Sequence, residues 1–481
     1  MNKALVLLII ICCSCSKPEI VGELGNWEWF KIIGKSGSNS IISQYVDEND
    51  NIYLLINFSG DKIELDQKTF ETEGSSNFLV AKLSSDGELI WVEKFGASGS
   101  VKSLDLAFNN NDLFAVGEIS RNYVDSEPGT ISKKGWILET KDKIPFILKL
   151  DSNGNTDWIK TIPEESKSTF NSITITESNR IFITKDYSGE DNFPILLFKG
   201  ESAEPDGSTN SGIIEIDDEG NLIEILEFEG SYLGYKSKII SNGDSVLYVS
   251  HGLTCFNQVE VQRGREKCLM QYGVGDDQIS IDKENNTVFS LQKLIINDKS
   301  SGFKKGFVKI EKGVNIYDIF LNDSVGILTV GSKKTHESKE GDMEVSFSMI
   351  DGSGNLIWRT NSTGSKANNF GNSITRIGDK IISTGSFIPP LNLPGFEFKS
   401  KNPDDQFQPS SFFFAVLDSV GRIENVIRNY PLTSSYGTSI TEFGDGVLIS
   451  GKIAGRTRFE SFQTNVVNGS NSFIGKYKIK N

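Results

Sequence analysis

The stretch FLVAKLSSDGELIWVEKFG, residues 78–96, decides the fold. It contains an apolar run, a turn that ends in glycine, and a second strand with a tryptophan four residues after that glycine. The pattern recurs as FILKLDSNGNTDWIKT at 146–161 and FSMIDGSGNLIWRT at 347–360, and copies around Gly220 and Gly421 lack the tryptophan. One hairpin repeated along a chain indicates a repeat architecture.

A second repeated element is an alternating strand, a polar turn and another alternating strand. We find eight copies, whose second strands begin near Ile52, Leu113, Ile181, Val246, Val288, Ile327, Ile381 and Val447. Alternation with Asn, Asp and Gly in the turns is the signature of a β-hairpin. Four antiparallel strands every ~40 to 70 residues predict an all-β chain that forms a single β-propeller of four-stranded blades. Eight blades are expected and seven are the alternative, because the unit around Val288 has little room for a fourth strand.

The two ends of the chain carry complementary strands. The first strand contains Trp27 and Trp29, as a fourth strand would, and the last is the third-strand type SFIGKYKIK. We therefore predict that Asn26–Ile33 pairs with Ser472–Lys480, which closes the ring and satisfies two exposed edges. The repeated tryptophans are predicted to pack between neighbouring blades as structural aromatic residues; they are Trp29, Trp91, Trp158 and Trp358.

The N-terminal sequence MNKALVLLIIICCSCSK predicts export. An apolar run follows Lys3 and is too short to span a bilayer. Its end resembles a bacterial lipobox, which implies acylation of Cys15, with Cys13 as the alternative; an ordinary cleaved signal is the other interpretation. In such lipoproteins, Ser16 after the cysteine implies the outer membrane. The expected organisation is a signal peptide and lipobox over 1–15, a linker over 16–25 and the propeller over 26–481.

The net charge of −15 argues against nucleic acid as a partner, because no basic surface dominates to neutralise phosphates. An acidic surface favours solubility, and a monomer is expected. In an exported protein, Cys255 and Cys268 could form a disulfide across a hairpin whose turn is QRGR; two buried thiols are the alternative. Two cysteines do not complete a zinc site.

Three units carry long insertions between their second and third strands, at 120–144, 186–211 and 388–410. Loops on a rigid scaffold are where binding usually occurs. Surface insertions also cost little closure entropy, so a purely decorative role is the alternative. The candidate binding residues in these loops are Trp136, Phe198, Phe396 and Phe398.

The repeat resembles the SBBP-type β-propeller repeat of secreted and surface bacterial proteins. The first unit carries the resemblance in DENDNIYLLINFSG at 47–60 and in SNFLVAKLSSDGELIW at 76–91. Together with the lipobox, it implies a surface or periplasmic lipoprotein of Bacteroidota type, without a general activity. The tryptophan hairpin is also similar to the docking motif of eight-bladed quinoprotein-like propellers, in which the tryptophan locks neighbouring blades.

No catalytic motif stands out, and neither a metal nor a cofactor is expected. The D-x-x-G-N repeats are explained as type I turns with a bulge, and a calcium loop would need more oxygen ligands; the richest in oxygen is DENDN at 47–51. The only histidines, His251 and His336, lie in different units.

These observations predict an exported, lipid-anchored β-propeller that serves as a binding or assembly scaffold at the cell envelope. Its partners would be the bilayer, through an acyl anchor, and an unknown protein or glycan ligand. The alternative is an envelope enzyme, either a glycan hydrolase or lyase or a quinoprotein-like oxidoreductase, with its site at the channel mouth. A pocket of converging carboxylates, Arg and Tyr would favour the enzyme, and a plugged channel the scaffold.

Overall fold

The computed structural model describes residues 25–34, 37–96, 99–109, 111–120, 129–133, 136–140, 143–161, 168–187, 195–197, 201–203, 211–228, 237–254, 259–262, 265–271, 278–282, 287–296, 303–322, 326–334, 342–364, 367–399, 408–431, 433–459 and 462–479. Within these ranges the regular elements are all β-strands, and no helix is present. The all-β class predicted from the sequence is confirmed.

The strands form four-stranded antiparallel sheets, most of them built from consecutive parts of the chain. The chain starts with β1 (Gly25–Ile33), followed by β2 (Ser38–Val46), β3 (Ile52–Ser59), β4 (Lys62–Leu65), β5 (Lys68–Glu71), β6 (Asn77–Leu83) and β7 (Leu89–Phe95). Sheet 1 has the order β2-β3-β6-β7, and β4 and β5 form a hairpin between its second and third strands.

Sheets 2 and 3 repeat this plan. The next strands are β8 (Ser100–Asn109), β9 (Asp112–Ser120), β10 (Gly129–Lys133), β11 (Trp136–Thr140), β12 (Ile144–Asp151) and β13 (Thr156–Lys160). They are followed by β14 (Ser168–Ile175), β15 (Ile181–Tyr187), β16 (Ile195–Leu197), β17 (Glu201–Ala203), β18 (Ser211–Ile216) and β19 (Leu222–Phe228). Sheet 2 is β8-β9-β12-β13 and sheet 3 is β14-β15-β18-β19, with β10–β11 and β16–β17 as the inserted hairpins.

Sheet 4 carries a larger insertion and sheet 5 is a plain meander. The strands are β20 (Lys238–Asn242), β21 (Val246–Thr254), β22 (Val259–Gln262), β23 (Arg265–Gln271), β24 (Gln278–Asp282), β25 (Thr287–Ile296) and β26 (Phe303–Lys312). Then come β27 (Val314–Asn322), β28 (Gly326–Lys334), β29 (Met343–Ile350) and β30 (Leu356–Asn361). Sheet 4 is β20-β21-β25-β26, with β22-β23-β24 as a separate small sheet, and sheet 5 is β27-β28-β29-β30.

Sheet 7 combines the two ends of the chain. The remaining strands are β31 (Phe370–Ile377), β32 (Lys380–Phe387), β33 (Leu391–Leu393), β34 (Phe396–Phe398), β35 (Ser411–Leu417), β36 (Ile423–Arg428), β37 (Tyr430–Pro431), β38 (Ser435–Phe443), β39 (Gly446–Phe459) and β40 (Phe462–Ile479). Sheet 6 is β31-β32-β35-β36 with the hairpin β33–β34. In sheet 7, β38, β39 and β40 pair in order and β1 pairs with β40, while the short β37 pairs with the far end of β39.

The register of β1 on β40 matches the predicted pairing of the chain ends. Ile33 lies opposite Ser472 and Asn26 opposite Lys478. Sheets 1 and 7 also meet directly, since Ser38 and Ser470 form a parallel pair. The N-terminal strand is therefore the outer strand of a sheet whose other three strands come from the C-terminus.

The predicted hairpin around Val288 is divided between two sheets. Strand β24 pairs with β23 in the inserted sheet, whereas β25 pairs with β21 and β26 as the third strand of sheet 4. That segment is therefore not a separate unit. Within the described ranges there are five four-stranded sheets and one nine-stranded sheet, and the nine-stranded sheet consists of sheets 1 and 7 joined at the Ser38–Ser470 pair. Alternation identified both strands correctly but does not say which strand each of them pairs with.

Apolar side chains fill the space between consecutive sheets. One cluster joins sheets 1 and 2 through residues such as Phe78 and Phe146, and others join each later pair. The last cluster joins sheet 7 to sheet 1 and includes Leu448 and Leu54. The middle strands are buried on both faces, so a run such as FLVA at 78–81 is continuously apolar instead of alternating.

Candidate functional site

A polar cavity lies where the first strands of the seven sheets meet. Strands β2, β8, β14, β20, β27, β31 and β38 each contact the next one, and β38 contacts β2. Residues of all seven sheets line a cavity of about 230 Å³ between them. We call this space the polar cavity.

β-Bulges in six of the seven first strands place a polar residue at or close to the cavity. Six of the first strands have a bulge, between Ile41 and Ser43, Ser103 and Asp105, Phe170 and Ser172, Ile316 and Asp318, Gly371 and Ser373, and Gly437 and Ser439. A bulge redirects the side chain that follows it. The residues after the bulges, with Lys238 at the start of β20, form what we call the polar ring: Ser43, Asp105, Ser172, Lys238, Asp318, Ser373 and Ser439.

Hydrogen bonds between sheets establish that these positions are equivalent. Four ring members accept a hydrogen bond from the next sheet. The donor is always the backbone N–H of the residue directly after that sheet's own ring member. The bonds are Asp105 from Ile173, Ser172 from Ile239, Asp318 from Ile374 and Ser373 from Ile440, at 3.0 to 3.3 Å. Lys238 precedes Ile239 and so occupies the ring position of sheet 4. The ring joins neighbouring sheets, and all its members except Ser172 line the cavity.

Asp105 connects four sheets through one carboxylate. Its side chain is only 5% exposed. Ser43 donates to Oδ1 at 2.8 Å, and Ser172 donates to Oδ2 at 2.6 Å. The ammonium of Lys238 donates to the same Oδ2 at 2.9 Å, from two sheets away along the ring. A buried carboxylate needs such partners because its desolvation is costly.

Asp318 is the second carboxylate of the ring. Ser373 donates to its Oδ2 at 2.8 Å. Burial raises the pKa of Asp318, and the charge of Lys238 with the hydrogen bonds from Ile374 and Ser373 offsets only part of this effect. Burial lowers the pKa of Lys238, but the charges of Asp105 and Asp318 outweigh it and hold that pKa above its usual value. The lysine therefore stays charged beside Asp105, whereas burial favours the protonated form of Asp318.

The cavity wall of sheets 6 and 7 is neutral and polar. Asn372, Thr375 and Ser439 line it. Asn372 uses its amide N–H to bind the carbonyl of Gly437 at 2.7 Å, which leaves its Oδ1 as an acceptor. The Thr375 and Ser439 hydroxyls make no side-chain hydrogen bond to another described residue. This wall offers both donors and acceptors to a molecule in the cavity.

The DENDN turn uses its first carboxylate to shape the turn. Asp47 Oδ1 accepts the N–H groups of Asn49 and Asn51 at 2.9 and 2.8 Å, and the hydroxyl of Tyr53 donates to Oδ2 at 3.3 Å. Asp151 does the same in its own turn, where Gly154 has a φ of +83°. Among the described residues no group of three His, Cys, Asp or Glu side chains is placed to hold a metal ion.

The repeated tryptophans contact the glycine turn of the following sheet. Trp91 of sheet 1 donates from Nε1 to the carbonyl of Ser152 in sheet 2 at 3.0 Å. A Cβ atom at Gly154 would lie 2.8 Å from the indole of Trp91, so only glycine allows this approach. The other pairs of this kind are Trp29 with Gly87, Trp158 with Gly220, and Trp358 with Gly421. The indoles are thus held between sheets and do not face the polar cavity.

The insertions lie where the sequence places them, between second and third strands. Phe398 is 7% exposed and packs 5.1 Å from Phe387 between ring centroids, and Phe396 packs against the same apolar cluster. Phe398 therefore anchors the hairpin β33–β34, whereas Phe396 is only partly buried there and its binding role stays a prediction. Trp136 begins β11 opposite Lys133, and nothing is described of its side chain. Phe198 lies outside the described residues.

The cysteine hairpin forms with a register different from the expected one. Strands β22 and β23 pair around the QRGR turn, but Val259 lies opposite Cys268. Cys268 therefore has a different cross-strand neighbour in this hairpin, and Cys255 lies outside the described residues. So do residues 1–24, with Cys13 and Cys15. In the described part of the chain, no helix is long and apolar enough to cross a membrane.

The polar ring was not identified from the sequence, although a signal for it exists. The first strands read SITI, SITR and SITE from the ring residues Ser172, Ser373 and Ser439. Aligned copies carry charged residues instead of serine at that position, namely Asp105, Lys238 and Asp318. A charge at a repeat position that is otherwise serine would have marked the cavity.

Comparisons with known proteins give no family. No protein-family model and no curated protein matches the chain. A mutant of the apocarotenoid oxygenase of Synechocystis is similar over 70% of this chain, at 9% identity and a TM-score of 0.30, and the chain spans 62% of that protein's length. The tail fibre of Staphylococcus aureus phage P68 is similar over 83% of this chain and 96% of its own, at 9% identity and a TM-score of 0.16. Both superpositions are too loose to bear on fold or function.

Proposed function

We propose that the seven sheets are the blades of a single β-propeller, with seven blades instead of the expected eight. Three observations support this arrangement. The first strands contact one another in a cycle, apolar clusters join every consecutive pair of sheets including the last and the first, and β1 completes sheet 7. The ring is then closed by strand pairing between the two chain ends, which leaves neither end as an open edge.

We propose that this propeller is an exported, lipid-anchored binding scaffold at the cell envelope. One observation carries the proposal. The extra hairpins of sheets 1, 2, 3 and 6 and the small three-stranded sheet of sheet 4 all interrupt the second-to-third connection. Because each sheet is an antiparallel meander in chain order, these connections leave every sheet at the same end. The hairpins together form one irregular surface, which we call the insertion face and propose as the contact surface for a protein or glycan.

The polar cavity supports the scaffold over the enzyme. A hydrolase or oxidoreductase would need a carboxylate available to its substrate. Asp105 is committed to Ser43, Ser172 and Lys238, and its side chain is almost fully buried. Asp318 bonds Ser373 and the Ile374 N–H. These hydrogen bonds hold neighbouring sheets together, as the repeated tryptophans do. The two carboxylates therefore serve the scaffold.

The insertion face is tested with the lipidated full chain and envelope extract. Two variants shorten the connections 121–142 and 188–210 to tight turns, and a matched control changes the opposite end of sheet 1 by Asp86→Ala, an exposed turn residue. We expect the control to retain the captured partner and the shortened variants to lose it while keeping the wild-type melting temperature. Retention of the partner by both shortened variants would exclude the insertion face.

The anchor is tested separately by membrane fractionation. The lipobox resemblance and Ser16 support acylation of Cys15 and residence in the outer membrane. We expect Cys15→Ser to move the protein from the outer-membrane fraction to the soluble periplasmic fraction. Release by Cys13→Ser with retention of Cys15→Ser would place the acyl chain on Cys13, and an unchanged distribution of both variants would refute the anchor.

A further inference from the structure

We propose that the polar cavity is a binding site for a small, neutral, polyhydroxylated molecule of about monosaccharide size. This inference is independent of the insertion face, because the cavity is built from the first strands alone. The size of the cavity, the chemistry of its wall and the balance of charge around the ring all favour such a ligand.

The volume of the polar cavity limits the size of the ligand. At about 230 Å³ the cavity is smaller than the ~300 to 1,000 Å³ that sites for drug-sized molecules occupy. It is much larger than the space one water requires. A single sugar ring or a compact polyol fits this range, whereas a polysaccharide chain or a large cofactor does not.

The wall presents hydrogen-bonding groups of both kinds. Thr375 and Ser439 provide hydroxyl groups, and Asn372 provides an amide oxygen with no other described partner. Lys238 and Asp318, of sheets 4 and 5, add a donor and an acceptor to the wall. Hydroxyl groups both donate and accept, so a ligand carrying several of them satisfies such a mixed wall. An apolar ligand would leave these groups unpaired at a cost.

The charges of the ring compensate one another. Lys238 bonds Asp105 at 2.9 Å, which matches one negative charge with one positive charge. Asp318 is the remaining carboxylate, and burial favours its neutral form. An anionic ligand would be repelled by the Asp105 carboxylate, and a cationic ligand by the Lys238 ammonium. A neutral ligand faces neither repulsion.

Titration calorimetry on the full mature chain tests the proposal. The probes are D-glucose, D-galactose, D-mannose, N-acetyl-D-glucosamine and myo-inositol, each at millimolar concentration, with putrescine, calcium chloride and sodium acetate as charged comparisons. We expect saturable binding of at least one neutral probe and none of the charged ones. Thr375→Val and Ser439→Ala should each weaken that binding about tenfold or more, since each removes a hydroxyl from the wall.

The control is Thr69→Val, an exposed threonine of β5, which should leave binding unchanged. Melting temperatures of all three variants separate loss of binding from loss of folding. Absence of binding by every neutral probe overturns the proposal, as does binding of a charged probe alone. Neutral binding that survives both cavity substitutions also overturns it, because the site would then lie elsewhere. Variants with shortened insertion loops should bind the probe normally, which distinguishes this site from the insertion face.

Discussion

The indole Nε1 of Trp29 donates a 3.0 Å hydrogen bond to the carbonyl of Ser85. Trp29 belongs to β1, the outer strand of sheet 7, and Ser85 lies in the turn of sheet 1. The same strand therefore pairs with the C-terminal strand β40 and docks on the first complete sheet. The equivalent contacts of Trp91 and Trp358 join sheets that are consecutive in the chain. At the Trp29 contact, the last sheet meets the first.

The tryptophan docking site predicts a large cost for a very small substitution. Gly154→Ala adds a methyl group that would lie 2.8 Å from the Trp91 indole, at a φ of +83°. We expect the free energy of unfolding to fall by about 2 to 4 kcal/mol, from backbone strain together with overpacking. Chemical denaturation of the purified variant measures this change.

Two other glycines separate the effect of backbone strain from that of overpacking. Gly378 also has a positive φ, of +55°, but nothing lies near its added Cβ, and Gly352 has neither the strained φ nor a close neighbour. Gly378→Ala should cost roughly 1 kcal/mol and Gly352→Ala close to zero. If Gly154→Ala and Gly378→Ala lower the free energy of unfolding equally, the contact with the Trp91 indole contributes nothing to the cost of Gly154→Ala.

Removal of the N-terminal strand should leave the molecule with an open edge. Deleting residues 25–33 removes the partner of β40 over Ser472–Ile479 and also the Trp29 contact. A long unpaired edge strand promotes association between chains. We expect concentration-dependent oligomers by light scattering, together with a lower melting temperature. Deletion of residues 16–24 is the control and should give a stable monomer; a monomeric, fully stable product of the longer deletion would contradict the prediction.

Loss of the Lys238 ammonium should destabilise the ring at Asp105. In Lys238→Met the carboxylate of Asp105 keeps its two serine donors but loses the cation at 2.9 Å. We expect a loss of about 1 to 3 kcal/mol, because a mostly buried charge becomes less well compensated. The double variant Lys238→Met/Asp105→Asn should cost less than the sum of its single variants.

The control for this series is Lys380→Met. Lys380 bonds Glu424 at 2.9 Å on the exposed surface, where an ion pair is worth roughly 0 to 1 kcal/mol. Urea denaturation of the four variants gives the comparison. Strict additivity of the ring substitutions would show that Lys238 and Asp105 do not act together.

Asp318 should make stability depend on pH in the direction opposite to that of a typical carboxylate. Burial raises its pKa in the folded protein, with Lys238 as its charged neighbour in the ring. A raised pKa contributes stability that is complete below the unfolded pKa of about 4 and is lost as pH rises through the folded pKa. The stability of the wild type relative to Asp318→Asn should therefore decline as pH rises above about 4 and then level off.

Denaturation at a series of pH values, with Asp379→Asn as the control, measures this effect. Asp379 is 82% exposed, so its variant should follow the wild type across the series. A wild type that gains stability over Asp318→Asn as pH rises would contradict the assignment. The pH at which this decline levels off gives the folded pKa of Asp318.

The sequence predicts the sheets better than it predicts the site. The glycine-to-tryptophan spacing and the polar turns are local signals, and the β1–β40 pairing follows from strand types at the two ends. The assignment of β25 depended on a pairing across the insertion β22–β24, which alternation does not encode. Phe398 appeared to be a loop aromatic, yet the hairpin folds back and buries it. The polar ring needs the bulges, and a register shift of one residue has no marker in hydrophobicity alone.

The composite seventh sheet imposes an order on folding. Sheets 1 to 6 are each built from one continuous segment, so each has all its strands as soon as that segment has emerged from synthesis or translocation. Sheet 7 has to wait for β40, which follows all the other described strands, while β1 precedes them. During that interval β1 has no native strand partner, and its edge is exposed to other chains. The slow, error-prone step in making this protein is therefore expected at its end, where nearly the whole chain must be looped to unite its two termini.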